Sequence, residues 1–168
     1  MAENIRERSQ MDLAYTWQIT DLYPDDNAWQ ADYERLQGVL QQLAGYAGHL
    51  NDSAATLLAF LQLQDQMAEQ GDRLISYAYR KTDEDTRQAA YQEMSTRADN
   101  FIVAWGQALA FETPELLAIP EERLVSFYKA EPRLEHYRLA MDRIRSKKDH
   151  TLSAAEEKLL AAAGSMGQ

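Results

Sequence analysis

The stretch Trp29-Gln30-Ala31-Asp32-Tyr33-Glu34-Arg35-Leu36-Gln37-Gly38-Val39-Leu40-Gln41-Gln42-Leu43 sets Trp29, Tyr33, Leu36, Leu40 and Leu43 at spacings of 4, 3, 4 and 3. Side chains three and four apart share one face of an α-helix, so this is an amphipathic helix that begins near Asp26 and is ended by Gly45 and Gly48. The same period recurs downstream. Asn51-Asp52-Ser53 offers N-cap oxygens to a second helix bearing Leu57, Leu58, Leu61, Met67 or Ala68, Leu74, Ile75 and Ala78. Gly71 lies inside that pattern, where glycine costs about 1 kcal/mol relative to alanine, and a bend is expected there. Thr82-Asp83-Glu84-Asp85 is expected at the start of a third helix, where acidic groups complement the dipole. That helix carries Tyr91, Met94, Ala98, Phe101, Ile102, Trp105 and Leu109. Its run Phe101 to Trp105 is apolar on nearly every side, which predicts a central helix with Trp105 buried.

Pro114-Glu115-Leu116-Leu117 reads as a short helix with Pro at N1 and Thr113 as its cap, and Pro120 with Glu121 and Glu122 repeats the device. Pro132 divides Leu124, Phe127 and Tyr128 from a last long helix with Leu134, Tyr137, Met141 and Ile144. Ser153 and Glu156 form a capping box that opens a helix from Ala154 to Ala163, with Gly164 as its cap, and a helix so begun is expected to lead into a longer protein. Upstream, Tyr15-Thr16-Trp17-Gln18-Ile19-Thr20-Asp21-Leu22-Tyr23-Pro24 alternates apolar with polar residues, and Pro24 biases Tyr23 away from helix. It reads as an extended strap whose Trp17, Ile19 and Leu22 dock on helices. No strand signal and no solenoid repeat survive, so the expected fold is all-α, an antiparallel bundle of about five or six helices with an N-terminal strap. The expected organisation is a flexible N-terminus over 1–14, a helical domain over 15–164 and a tail over 165–168.

At 168 residues the chain is long enough for a real core. Seventeen basic against 27 acidic side chains give a net charge of −10, a field that repels phosphate backbones and anionic lipid and argues against nucleic-acid and membrane partners. The absence of cysteine excludes disulfides, a thiolate nucleophile and a cysteine zinc site. The charged start Met1-Ala2-Glu3-Asn4-Ile5-Arg6 has no signal-peptide core and no apolar run reaches membrane-spanning length, so a cytoplasmic location is expected.

Motifs spread along the chain share an order and spacing with a known family. They are Trp17-x-Ile19-x-Asp21-Leu22-Tyr23-Pro24 followed by Trp29, Ser53-Ala54-x-Thr56-Leu57-Leu58, Leu74-Ile75-Ser76-Tyr77-Ala78-Tyr79-Arg80 and Arg97-Ala98. Pro114-Glu115-Leu116, Leu134-x-x-Tyr137-x-Leu139 and the His150 to Leu160 segment complete the set. With these the chain resembles the N-terminal region of oligoendopeptidase F, a zinc metallopeptidase of the thimet oligopeptidase superfamily. The resemblance implies a helical lobe that packs on a catalytic domain of the same polypeptide and helps to enclose a channel for unfolded oligopeptide substrates, with zinc as cofactor of the full-length parent. The zinc motif His-Glu-x-x-His is not in this sequence, because His49, His136 and His150 precede Leu50, Tyr137 and Thr151. No catalytic and no metal residue therefore carries over, and the chain by itself is expected to be inactive. A free-standing acidic helical adaptor that binds a partner helix stands as the alternative.

No histidine has a second at i+4, and the residues three before them, Tyr46, Arg133 and Lys147, exclude the Glu-x-x-His pattern of a di-iron bundle. Thr82 to Asp85 lacks the loop of a calcium site. Arg138, Arg143, Arg145, Lys147 and Lys148 gather positive charge that either complements a helix terminus or meets an anionic partner. In Tyr77-Ala78-Tyr79-Arg80, Tyr77 and Ala78 share the core stripe while Tyr79 and Arg80 point elsewhere. Tyr79 and Arg80 are the candidates for a peptide-channel wall, weighed against interhelix packing. An exposed apolar face and self-association are expected of a lobe separated from its partner, first at Ala154 to Ala163.

Overall fold

The computed structural model describes residues 10–146. The helix Ala154 to Ala163, its capping box, Lys147, Lys148 and His150 lie outside the described residues. Six α-helices and no strand occur among the described residues: α1 Asp26–Ala44, α2 Ala54–Glu84, α3 Ala89–Ala108, α4 Glu112–Ala118, α5 Glu121–Ala130 and α6 Arg138–Ser146. Short 3₁₀ turns cover Leu13–Tyr15, Ile19–Asp21 and Pro132–Tyr137. The fold is the all-α bundle that the periodicities predict. Among the described residues no helix is long and apolar enough to cross a membrane.

The chain forms two compact units. One holds the described residues up to His49 together with Ala59–Phe111; the other holds Leu50–Leu58 and the described residues from Glu112.

In the first unit, Asp25 caps α1 by accepting the amide of Ala28 at 2.8 Å. The α1 stripe buries Trp29, Leu36, Leu40 and Leu43. Trp29 donates its indole N–H to the Leu74 carbonyl of α2 at 2.8 Å, and its ring stacks on Tyr33 with centroids 5.3 Å apart. Arg97 of α3 lies 5.1 Å from the Trp29 ring and 4.2 Å from that of Tyr33, a cation–π contact that ties the third helix to the first. Helix α2 runs unbroken through Gly71. An added Cβ there would stand 2.9 Å from Cζ3 and 3.3 Å from Cη2 of Trp105. The glycine is a seat for the indole.

In the second unit, Ser53 Oγ accepts the Thr56 amide at 3.0 Å. Arg123 of α5 donates to the carbonyls of Asn51 and Asp52 at 3.0 and 3.1 Å. Arg145 of α6 donates to the Leu116 and Ile119 carbonyls at the C-terminal end of α4, at 3.2 and 2.8 Å, and pairs with Glu121. Leu116, Ile119, Leu124, Phe127, Leu134 and Met141 fill the interior.

Four expectations need correction. Thr82, Asp83 and Glu84 close α2 instead of opening α3, because Thr82 Oγ1 donates to the Ala78 carbonyl of its own helix and Arg80 pairs with Asp83 one turn on. Ile102 and Val103 are 42% and 59% exposed, and Trp105 is half-buried, so α3 is packed on one side and is not central. The last long helix is a 3₁₀ stretch, Pro132–Tyr137, followed by the nine-residue α6. Pro114 lies within the first turn of α4 and Pro120 caps α5, so neither occupies N1.

Two of the helical glycines, Gly71 and Gly38, should respond oppositely to alanine. Gly38→Ala meets nothing within 4 Å and should stabilise the chain by about 0.5–1 kcal/mol. Gly71→Ala should lower stability by about 1 kcal/mol or more, because overpacking against a rigid indole outweighs the propensity gain. Urea denaturation of both variants checks the pair; a stabilised Gly71→Ala would unseat Trp105.

Candidate functional site

The strap turns sharply twice before α1, and its construction decides what it shows to solvent. Asp12 holds the first turn, its carboxylate accepting the Ala14 amide at 2.9 Å and its carbonyl that of Tyr15 at 2.9 Å. The Ile19 carbonyl accepts the Leu22 amide at 3.0 Å in the second. The strap is therefore coiled in 3₁₀ turns where an extended course was expected. Its anchor is Tyr23, 4% exposed, whose ring meets Tyr77 of α2 edge-on at 5.4 Å. The Tyr23 hydroxyl donates to Asp32 Oδ2 of α1 at 2.5 Å. Arg35 donates to the other oxygen of the same carboxylate at 2.7 Å, and Arg73 of α2 reaches Asp32 at 3.4 Å while lying 4.9 Å from the Tyr23 ring. Burial and the bond to Asp32 push the Tyr23 phenol up to about 12, so it stays a neutral donor. Burial pulls the Asp32 carboxyl upward, but hydrogen bonds from Tyr23, Arg35 and Arg73 outweigh it and hold the group below the ordinary aspartate value.

With Tyr23 as the plug, the expected docking of Trp17 does not occur: Trp17 is 83% and Tyr15 81% exposed, while Ile19 and Leu22 are half-buried. These residues and α2 enclose a groove of about 700 Å³, lined by Ala14 to Ile19, Asp21, Leu22, Ser76 and Arg80. An adjoining recess of about 350 Å³ adds Met11, Asp83 and Glu84. Arg80 thus lines the groove, paired with Asp83 at 3.3 Å. Tyr79 is on the other side of the turn, where its hydroxyl donates to Asp99 of α3 at 2.6 Å. The structure does not bring the two candidates into one site. The Tyr23, Asp32 and Arg73 anchor was not foreseen; the i, i+3 pair Asp32 and Arg35 was its one visible signal.

The other candidates are placed as follows. Arg138 pairs with Glu135 and lies 3.9 Å from the Tyr128 ring, and Arg145 binds the α4 carbonyls, so both serve packing within their unit. His136 lies edge-on to Tyr137 at 5.1 Å. Among the described residues no three of His, Cys, Asp and Glu come together as a metal site would require.

An all-α region with a strap-lined groove is the class these features define, and comparison with known proteins places it among relatives. A family model described as Oligopeptidase F matches residues 115–168. Oligopeptidase PepF of Bacillus subtilis (strain 168) is 34% identical over 162 residues, which is 96% of this chain and 24% of that protein. The plasmid oligoendopeptidase F of Lactococcus lactis subsp. cremoris is 37% identical over 165 residues, 98% of this chain and 27% of that one. The crystal structure of oligoendopeptidase-F from Enterococcus faecium superposes with a TM-score of 0.67 at 30% identity, covering 84% of this chain and 28% of the other. The chain belongs to the oligoendopeptidase F family, as its N-terminal region. It spans about a quarter of the length of the curated relatives it matches.

The anchor makes a pH prediction. A depressed folded-state value means the Asp32 contribution is complete above the ordinary aspartate pKa of about 4 and is lost as pH falls through the lowered value. Asp32→Asn should therefore be less stable than the parent at neutral pH, by about 1–2 kcal/mol, and the gap should close on acidification below about pH 4. Urea midpoints from pH 7 to pH 2.5 test it; a gap that is constant with pH would show that the Asp32 charge is not what holds the strap.

Proposed function

We propose that this chain is the non-catalytic N-terminal lobe of an oligoendopeptidase-type enzyme, with its strap face forming one wall of the space through which unfolded oligopeptides reach a catalytic domain carried elsewhere in a longer polypeptide. The observation that supports this most is one of proportion. Relatives at 34% and 37% identity match nearly all of this chain yet are about four times as long, while no His-Glu-x-x-His occurs in its 168 residues. The zinc that the family resemblance implies does not fit the residues present: His49 and His136 have no histidine one turn away, and no candidate ligand group forms among the described residues. No chemical step is assigned to them. What the lobe contributes is shape and substrate contact. Arg80 and the exposed rings of Tyr15 and Trp17 supply the groups suited to gripping a peptide, and the hydrogen bond from Tyr79 to Asp99 steadies α2 against α3 beside them.

The test is complementation. The chain alone should leave a quenched oligopeptide uncleaved, and co-expression with the remaining three quarters of a relative such as the Bacillus subtilis protein should give an assembled, chelator-sensitive peptidase. In that complex Arg80→Ala should lower kcat/KM by about threefold to tenfold, on the order of 0.7–1.4 kcal/mol. Turnover by the chain alone, or failure of the two parts to assemble, would overturn the assignment.

A further inference from the structure

Beyond its place on the channel wall, the strap groove has a definite chemical bias. Among the described residues, the lining of groove and recess contains one guanidinium, Arg80, against three carboxylates, Asp21, Asp83 and Glu84. The recess sits at the last turn of α2, which ends at Glu84, and the carbonyl end of a helix carries partial negative charge. Two aromatic faces, Tyr15 and Trp17, stand more than 80% exposed at the same place, and the face of such a ring attracts cations. Carboxylates, a helix C-terminus and aromatic faces all favour one kind of ligand charge. Ala14, Ile19 and Leu22 add apolar lining beside them. The chain as a whole carries a charge of −10, which steers the same kind of ligand toward it.

We propose that this groove is a subsite for extended peptide segments that carry lysine or arginine beside aliphatic residues, with the cationic side chain set between the Trp17 and Tyr15 faces and the carboxylates of Asp21, Asp83 and Glu84. The assignment names the substrate class of the wall proposed above and rests on that reading. Arg80 has a second use here: with Asp83 at 3.3 Å it orders the acidic rim, and its guanidinium is available to a backbone carbonyl of the same segment.

The experiment uses the chain itself and three capped, fluorescein-labelled hexapeptides that alternate leucine with lysine, glutamine or glutamate, followed by anisotropy at low and at 0.5 M salt. The lysine peptide should bind tightest, by about twofold to fivefold per cation over the glutamine peptide, with the preference reduced at high salt. The combined variant Asp21→Asn, Asp83→Asn and Glu84→Gln should weaken the lysine peptide at least about tenfold, and Trp17→Ala should weaken it about fivefold with an unchanged helical circular dichroism spectrum. Equal binding of the lysine and glutamate peptides, or wild-type affinity in both variants, would overturn the proposal. The complemented enzyme separates this from the parent reading. If it is active but cleaves lysine-rich and glutamate-rich peptides with the same kcat/KM, the cationic subsite falls and the lobe assignment stands; if the parts never assemble, the lobe assignment falls while the binding preference measured on the chain remains.

Discussion

The first unit depends on the side chain of Trp29. It is 1% exposed, and its one polar atom is matched by the Leu74 carbonyl in the middle of α2, so the indole can be buried without an orphaned donor. A long helix gives few free acceptors, since its carbonyls already bond within the helix, and sharing one of them fixes the height of α1 along α2 as well as its distance. Arg97 then lays its guanidinium over Trp29 and Tyr33 and donates to Gln30, which brings α3 to the same point. Three helices thus meet at one ring. The Leu36, Leu40 and Leu43 layers continue the register that Trp29 begins.

That register has a consequence for the strap. Asp32 lies one turn beyond Trp29 on α1, and Arg73 adjoins Leu74 on α2, so the same contact that sets the two helices side by side puts a carboxylate and a guanidinium where Tyr23 arrives. Pro24 keeps Tyr23 out of the helix and Asp25 starts α1 at once, which leaves the phenol no freedom to point elsewhere. Since Tyr23 takes the buried place, Trp17 is left outward. The groove is therefore a by-product of how the strap is fastened, and loosening Tyr23 would disturb the groove and the anchor together.

The helices were legible because their signal is local. The α1 stripe, the cap at Ser53 and the breaks near Pro120 and Pro132 each depend on neighbours a few residues apart, and each lies close to its expected place. Some of the errors arose where the deciding partner was distant in sequence. Gly71 read as a helix weakness, yet its reason is Trp105, 34 residues on. Phe101 to Trp105 looked buried by composition, but Phe101 alone of the run is fully buried, Trp105 is half-buried over Gly71, and Ile102 and Val103 are turned out. Thr82 to Asp85 carries charge that suits a helix start, and the competing contacts within α2 decided otherwise. Of the two channel candidates, adjacent in sequence, only Arg80 reached the groove, since neighbours on a helix are about 100° apart around its axis.

Charge use ties the fold to the proposed role. The arginines are largely taken up by the structure: Arg35 and Arg73 on Asp32, Arg97 over two rings, Arg123 and Arg145 on backbone carbonyls, Arg133 on Glu131 and Arg138 on Glu135. Arg97 and Arg123 face rings, an amide oxygen and backbone carbonyls in place of a carboxylate. The sequence as a whole carries an excess of ten negative charges. In the proposed role such a field has a kinetic meaning: it would raise the local concentration of cationic chains before any specific contact forms. In the same proposal the aromatic strap supplies the short-range grip that a screened field lacks, because cation–π contact acts within about 6 Å of the ring while the field reaches about 10 Å at moderate salt.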